Sequence, residues 1–471
     1  MNAFRFHIAT LGCKINQYES QSLREAWTAL GGEETADPAL AECVLVNSCA
    51  VTARAVSDLR QTVRRLHRAN PDAAIVVTGC AAQVMAGELA GLPGVVEVVP
   101  QERKTGLLAG PAAVRPASSA DAAAIAPDFA VSGYGRARAV VKVQDGCSHR
   151  CTYCIVPLTR GPARSRDPRR VLAETRALLD AGFREIVLSG INLRQFGPDL
   201  AAADLPPGWR GPADFWALLS WLDAELGPQW AGRARLRVSS VDPGQFMGHA
   251  AERALEALTA GTLFCPHLHL SIQSGSPAVL RRMGRAHYGP EDILAFVRAL
   301  GARVPLLGLG ADILTAFPGE TEEHHAETVA LARELPLTYA HVFPYSRRPG
   351  TPAARLDGQL PRQVKKQRSA ELRELVAEKK RAFLARVAAE AATVRVALQC
   401  GGEDEADHAD GSGTPRGVSE HYVACRFIAP PVGAANRALV AARPVRAGEG
   451  YLEVIPQDGP DAAPRTPPEA P

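Results

Sequence analysis

Cys147, Cys151 and Cys154 crowd into one string, D-G-C-S-H-R-C-T-Y-C-I-V-P. Their C-x3-C-x2-C spacing, directly after an apolar strand, lets three thiolates reach one iron–sulfur cluster. Three protein ligands leave one iron of a [4Fe–4S] cluster open to a small molecule, the logic by which catalytic zinc keeps an open position. Ferredoxins space their ligands C-x2-C-x2-C with a fourth cysteine, and zinc sites pair C-x2-C motifs, so neither pattern matches. His149 lies inside the loop and reads as a bystander.

Three further cysteines are far apart in sequence but alike in position. Cys13 follows the first expected strand, Cys49 the second and Cys80 the third. In a parallel sheet the strand C-termini share one edge, where open α/β sheets place their ligands. The three thiols therefore converge on one rim, where they either form a second three-ligand metal site or serve only their turns. Each sits in a short turn (Gly12–Cys13, Asn47–Ser48–Cys49, Gly79–Cys80) whose backbone N–H groups could tune a cluster. Cys43 begins a strand and belongs to the opposite rim. Cys265, Cys400 and Cys425 have no partners at ligand spacing and read as small buried residues.

The elements that must hold these cysteines follow from apolar periodicity. Over residues 4–108, strands at Phe4–Thr10, Cys43–Asn47, Ala74–Thr78 and Val95–Val99 alternate with helices at Glu19–Leu30, Thr52–Ala69 and Gln83–Leu89. That alternation predicts a parallel sheet with crossover helices. Residues 109–132 read as an Ala/Pro/Ser linker. Residues 133–362 repeat strand then helix, with strands at Ala139–Gln144, Glu185–Ser189, Arg235–Ser239, His267–Gln273, Gly308–Leu314 and Tyr339–Pro344. Six βα units fall short of the ~250 residues of a full eight-unit barrel, so a partial (β/α)6 barrel is expected. A basic helix over 363–389, a small all-β domain over 390–456 and a Pro-rich disordered tail over 457–471 complete an α/β chain. Strands of the small domain are expected at Thr393–Leu398, His421–Ile428, Ala438–Ala442 and Tyr451–Ile455, around an acidic Gly401–Gly413 loop.

Composition narrows the classes. In 471 residues, Lys+Arg number 53 and Asp+Glu 50, a net charge of +3 that excludes a globally basic nucleic-acid coat but not a local basic face. The hydrophobic share of 46% and charged share of 22% are those of a globular protein. Ten cysteines are too sparse for a disulfide scaffold, and in a reducing compartment clustered thiols favour metal ligation. The absence of a signal peptide and of a bilayer-length apolar run leads us to expect a cytoplasmic protein without a membrane partner.

The chain resembles the radical S-adenosylmethionine (SAM) enzymes, and within them the methylthiotransferases. The matching strings are Thr10–Ser20, Val46–Thr52, Val77–Gln83, Gly146–Arg166, His267–Ser276, Gly310–Thr321 and His341–Ser346. Lys14–Ser20 is similar to the branch acting on tRNA N6-threonylcarbamoyladenosine at position 37. The resemblance implies two [4Fe–4S] clusters and SAM. Cys147, Cys151 and Cys154 would be catalytic, holding the cluster that chelates SAM. One electron then cleaves SAM to a 5′-deoxyadenosyl radical that attacks adenine C2, while the cluster on Cys13, Cys49 and Cys80 presents sulfur and a second SAM gives the methyl group. The cofactor carries the hard step and the protein orients it.

Residues at barrel strand ends are the candidate SAM contacts: Ser189, Gly190 and Asn192; Ser239, Ser240 and Asp242; Gln273 and Ser274; Asp312; and Pro318, Gly319 and Glu320. Each serves either the cofactor or only a turn or helix start. The implied partners are a tRNA anticodon loop, an electron donor such as flavodoxin or ferredoxin and a sulfur donor; a monomer is expected. Single-stranded RNA wants local positive charge, for which Arg160, Arg164, Arg166, Arg169 and Arg170 are candidates, with the basic helix second. Either set could instead be a solvated face. The C-terminal domain is similar to the RNA-binding TRAM barrel at Val418–Tyr422, although its acidic loop does not suit an RNA surface. Alternatives are a methylthiotransferase of isopentenyladenosine or of a ribosomal protein, and more remotely a two-cluster electron carrier or redox sensor.

Overall fold

A computed structural model describes residues 4–111, 128–399, 415–431 and 433–457. Cys400, the acidic loop, the tail beyond 457 and most of the linker lie outside the described residues. The chain divides into two compact units. The first is Met1–Gly133 together with Gln144–Arg164 and Ser346–Leu356; the second is Tyr134–Val143, Ser165–Tyr345 and Asp357–Pro471. The cysteine loop thus clusters with the N-terminal sheet.

In the first unit, five parallel strands run β1 (Phe4–Thr10), β2 (Gly32–Glu34), β3 (Cys43–Ser48), β4 (Ala74–Gly79) and β5 (Val95–Val99), in the spatial order β2-β1-β3-β4-β5. Every residue of the central β3 is buried, as a strand covered on both faces requires. Helix α1 (Lys14–Ala29) starts directly after Cys13, five residues earlier than periodicity alone suggests. Its Trp27 meets Phe6 edge-on at 5.3 Å. Helix α2 (Ala53–Ala69) buries Val56, Leu59, Val63 and Leu66, one helical face, and Thr52 caps it by accepting from the Ala55 N–H. The helix expected at Gln83–Leu89 is instead two short ones, α3 (Cys80–Val84) and α4 (Ala86–Ala90), interrupted at Met85. Helix α5 (Val156–Arg160) follows the cysteine loop, and Ile155 joins the apolar core of the sheet beside Cys80, Ala81 and Ala82.

In the second unit, the six barrel strands are β6 (Arg138–Asp145, ending in the first unit), β8 (Glu185–Gly190), β9 (Arg235–Val238) continued as β10 (Ser240–Val241), β11 (His267–Gln273), β12 (Gly308–Thr315) and β13 (Leu337–Pro344); β7 (Arg164–Ser165) is a two-residue edge. They form two four-stranded sheets, β7-β6-β8-β9 and β10-β11-β12-β13. Between them run α6 (Pro168–Asp180), α7 (Phe215–Trp230), α8 (His249–Ala260), α9 (Pro277–Met283), α10 (Pro290–Arg303) and α11 (Glu322–Glu334). Along β11, Leu268, Leu270 and Ile272 are core residues, which turns the alternate His267, His269, Ser271 and Gln273 to the opposite face.

After the long α12 (Arg362–Glu390), a closed five-stranded barrel follows, ordered β14 (Val394–Gln399), β15 (Arg416–Ser419), β16 (Ala424–Phe427), β18 (Tyr451–Pro456) and β17 (Leu439–Ala447). Strand β15 was not expected, and β16 starts three residues late because Tyr422, at φ +63°, turns the chain there. The buried Arg235 and Arg237 pair with Glu185 and also donate to the Arg395, Val418, Ser419 and Glu420 carbonyls. They thereby fasten the small barrel to the large one. Among the described residues no helix is long and apolar enough to cross a membrane.

Candidate functional site

The turns carrying Cys13, Cys49 and Cys80 lie at the C-terminal edge of adjacent strands β1, β3 and β4. Two glycines let them crowd together. Gly12 has φ +106°, and a Cβ there would stand 2.7 Å from the Cys49 Cβ. Gly79 has φ +95°, and a Cβ there would overlap the Ser48 carbonyl oxygen. Asn16 then ties the first turn to the second by donating to the Leu11 (2.8 Å) and Ser48 (3.0 Å) carbonyls. Cys13 sits at the N-cap position of α1 and is exposed; Cys49 and Cys80 are buried. Burial pushes the Cys49 thiol up to about 11; Cys80 and Cys13 act in the same direction, while the Val51 N–H and Arg160 oppose it. Cys43, at the other end of β3, is pushed up to about 12 by burial and by Glu97.

The second cysteine loop is folded back on itself. Cys147 N–H donates to Gly161 O (3.0 Å), Ala163 N–H to Ser148 Oγ (3.1 Å) and Cys154 N–H to Cys151 O (3.0 Å). Cys147 and Cys151 are buried, Cys154 less so. Both sets consist of soft sulfur donors on short backbone-rich turns, which suits iron–sulfur clusters.

A buried charge network joins the two loops. Arg160, expected to face RNA, has a side chain only 1% exposed. It donates to Glu19 Oε1 (2.9 Å), Asp145 Oδ1 (2.9 Å) and Asn16 Oδ1 (2.7 Å). Lys104 is fully buried, pairs with Glu19 and donates to Asn47 Oδ1 at 2.7 Å. Burial lowers the Lys104 ammonium, and Glu19 resists that shift. Arg348, also buried, stands within electrostatic reach of Cys49. Lys104 and Arg348 lie in ordinary-looking basic strings, Glu102–Lys104 and Arg347–Arg348, so nothing in the sequence separates them from surface charge.

Of the other arginines, Arg164, Arg169 and Arg170 are exposed, Arg169 holding the Asp204 and Leu205 carbonyls. Arg166 is partly buried against Glu174 and so offers little charge to solvent. The basic helix α12 is also partly committed, with Lys365 donating to Tyr345 O and Lys379 to Leu335 O.

The barrel strand-end residues fall into two kinds. Several are occupied within the protein. Asp242 accepts from Gly244 N (2.9 Å), Arg285 (2.8 Å) and His287 (3.0 Å), and although burial acts to raise its carboxyl these partners hold it well below the usual range. Ser274 bonds Thr328 Oγ1 at 3.1 Å. Asn192 caps its turn through Arg194 N. Glu320 accepts from Ala316 N and Phe317 N and from Arg368 at 2.6 Å, so it folds the Pro318–Gly319–Glu320 turn. The others differ in setting. Ser239 Oγ is buried and has no hydrogen-bond partner among the described residues, where β9 breaks into β10. Gln273 has φ +65°, a strained backbone at a strand end. Ser189 is buried; Gly190 and Ser240 are half-buried. Asp312 lies 3.1 Å from both His269 and His341, and these imidazoles hold its carboxyl well below the usual range against the opposing effect of burial.

Residues 5–100 match the family described as "Uncharacterized protein family UPF0004", and residues 141–332 match the radical SAM superfamily. The chain is 36% identical over 376 residues to the threonylcarbamoyladenosine tRNA methylthiotransferase MtaB of Bacillus subtilis, covering 78% of this chain and 79% of that protein. It is 36% identical over 361 residues to the protein of the same name from Chlamydia pneumoniae, covering 76% and 79%. A tRNA-2-methylthio-N(6)-dimethylallyladenosine synthase of Mycobacterium ulcerans is 34% identical over 385 residues, covering 80% and 70%. Among solved structures, the radical SAM methyltransferase TsrM of Kitasatospora setae superposes with a TM-score of 0.53 at 17% identity, covering 75% of this chain and 77% of that one, a likeness of fold.

Proposed function

The chain belongs to the radical SAM methylthiotransferases of tRNA, and from that premise we propose that it converts N6-threonylcarbamoyladenosine at position 37 of the anticodon loop to its 2-methylthio derivative. Its cofactors are SAM and [4Fe–4S] clusters, which when bound supply the radical that reaches adenine C2 and the sulfur it receives. We assign one cluster to Cys147, Cys151 and Cys154 and the other to Cys13, Cys49 and Cys80. Gly12 and Gly79 let three thiols meet at one sheet edge, and Arg160 opposes the rise that burial imposes on the Cys49 thiol. In the barrel, Ser239 and Gln273 are the strongest candidates for cofactor contacts, while Asp242, Ser274 and Glu320 hold the loops in shape. A flavodoxin- or ferredoxin-type protein would deliver the electron, and a separate donor would replace the sulfur. Arg164, Arg169 and Arg170 are the exposed arginines of the cluster-loop stretch and so the candidates for phosphate contacts.

The choice of substrate rests on one observation: five relatives named for threonylcarbamoyladenosine share 31–36% identity with this chain. The synthase of dimethylallyladenosine, at 34%, keeps a second reading in view. Mass spectrometry of tRNA nucleosides from a deletion strain separates them. Loss of 2-methylthio-threonylcarbamoyladenosine, restored by the wild-type chain but not by Cys147→Ala, supports the proposal. Its persistence, with loss of the methylthio-dimethylallyl nucleoside instead, replaces it with the second reading.

A further inference from the structure

The interior of the large barrel holds a side-chain cluster that the cysteine chemistry does not use. It is built on three adjacent parallel strands. His269 on β11 is in register with Gly310 on β12, and Asp312, two residues further along β12, is in register with His341 on β13. Period-two alternation puts all three side chains on one face of this sheet. Their donor atoms all lie within 4.8 Å of one another. His341 Nδ1 is 3.1 Å from Asp312 Oδ1. His269 Nε2 is also 3.1 Å from that oxygen, yet it is buried and, among the described residues, has no hydrogen-bond partner of adequate geometry.

The tautomer makes this pairing informative. Tyr339 Oη lies 2.9 Å from His269 Nδ1 and 2.9 Å from His267 Nε2. If His269 gives its Nδ1 proton to Tyr339, and Tyr339 gives its own to His267, the Nε2 lone pair of His269 faces a carboxylate. Two acceptors then confront each other with nothing positive between them, an arrangement that a shared cation relieves. A ligating histidine characteristically donates its other nitrogen to an outer hydrogen-bond partner, the place Tyr339 occupies. The fold also makes room for it. At Gly310 a Cβ would collide with the Tyr339 ring and stand 2.5 Å from His269 Nδ1, so only glycine lets the two side chains cross that strand.

We propose that His269, Asp312 and His341 form a binding site for a divalent first-row transition-metal ion, separate from both cysteine sets. Two imidazoles and one carboxylate would supply three ligands and leave further positions open to water. The exposure gradient agrees: His269 is 6% exposed, Asp312 21% and His341 57%, so the site is anchored at depth and open on one side. Neutral nitrogens and a carboxylate favour Mn2+, Fe2+, Co2+ or Zn2+ over Mg2+ or Ca2+, which prefer all-oxygen shells.

The test uses the anaerobically reconstituted holoenzyme with both clusters in their oxidised, EPR-silent state. Mn2+ is titrated in, and the free ion is followed by its six-line EPR signal. About one Mn2+ per chain should bind and should be displaced by Zn2+. His269→Gln and His341→Gln should each weaken binding at least tenfold, and Tyr339→Phe should weaken it by roughly 10–100-fold as an outer partner. His249→Gln, at a fully solvated histidine, should leave binding unchanged. Iron content equal to wild type in each variant excludes misfolding as the cause. Absence of stoichiometric binding, or binding indifferent to His269→Gln and His341→Gln, would overturn the proposal and leave a proton as the cation shared with Asp312.

Discussion

The network around Glu19 makes an asymmetric prediction about stability. One fully buried carboxylate serves two fully buried cations, Lys104 and Arg160, while the fourth charge, Asp145, is 26% exposed. Glu19→Gln keeps the shape but leaves two cations facing each other. Breaking a buried pair by removing one partner costs about 3–5 kcal/mol. Lys104→Met removes a group that itself carries a desolvation cost, and Glu19 keeps its hydrogen bonds to Arg160 and Gln101. Its cost should stay near the ~1–3 kcal/mol of an acceptor left unsatisfied. The readout is hydrogen exchange of helix α1, whose protection reports local opening. At ~1.4 kcal/mol per factor of ten, Glu19→Gln should speed exchange there roughly a hundred- to several-thousand-fold, and Lys104→Met distinctly less. A pH arm adds a sign. Burial already lowers the Lys104 ammonium, and Glu19→Gln removes the group that resists it. Between that lowered value and the ordinary 10.5, the unfolded chain binds a proton that the folded chain does not, so stability rises with pH. The Glu19→Gln deficit should therefore shrink as pH rises from the variant's Lys104 value to the wild type's, which itself lies below 10.5, and in Lys104→Met this recovery should be missing. Equal protection in the two variants, or a deficit that does not change with pH, would refute the reasoning.

Other expectations are as direct. Anaerobic reconstitution should give about eight iron atoms per chain and about four when either cysteine trio is replaced by alanine; a value near four for the intact protein would remove one cluster. Replacing Arg164, Arg169 and Arg170 by alanine should weaken tRNA binding and lower the slope of log affinity against log salt by about 0.7–1 for each phosphate that the variant no longer neutralises; an unchanged slope would move the RNA face elsewhere. Glu185→Gln should cost about 3–5 kcal/mol, because it strands Arg235 and Arg237. Burial alone would raise the Glu185 carboxyl, but these arginines hold it far below its usual 4.5. Its contribution is therefore complete above about pH 4.5 and is lost as pH falls toward the native value, so the variant should show a flatter acid-unfolding profile than the wild type.

The barrel was legible because its strands are apolar runs of the right length separated by amphipathic helices. His267–Gln273 is found where expected, and the other five barrel strands agree to within a few residues. Strands β2 and β15 escaped because three or four residues such as Gly32–Glu34 carry no alternation to read. The cysteines could be sorted by position, since a strand end is visible in sequence. Buried charge was not legible. Arg160 and Glu19 are 141 positions apart, and only the fold shows that they meet. The string Glu102–Arg103–Lys104 reads as a solvated run, although its last member is wholly enclosed. The same blindness made Glu320 a candidate ligand, when its carboxylate is already taken by two backbone amides and Arg368.

The return of the cysteine loop to the N-terminal sheet bears on how such a chain can be inherited. A segment ending at Gly133 would carry Cys13, Cys49 and Cys80, yet its sheet would lack Ile155 and its Glu19 would keep only one of two cations. Recombination at that boundary would therefore yield a sheet with a gap in its core and a buried acid stripped of one of its two cationic partners. Descendants that exchange the front of this protein successfully must exchange the cysteine loop with it, so the two trios are expected to travel through evolution as one heritable piece despite being separated along the chain.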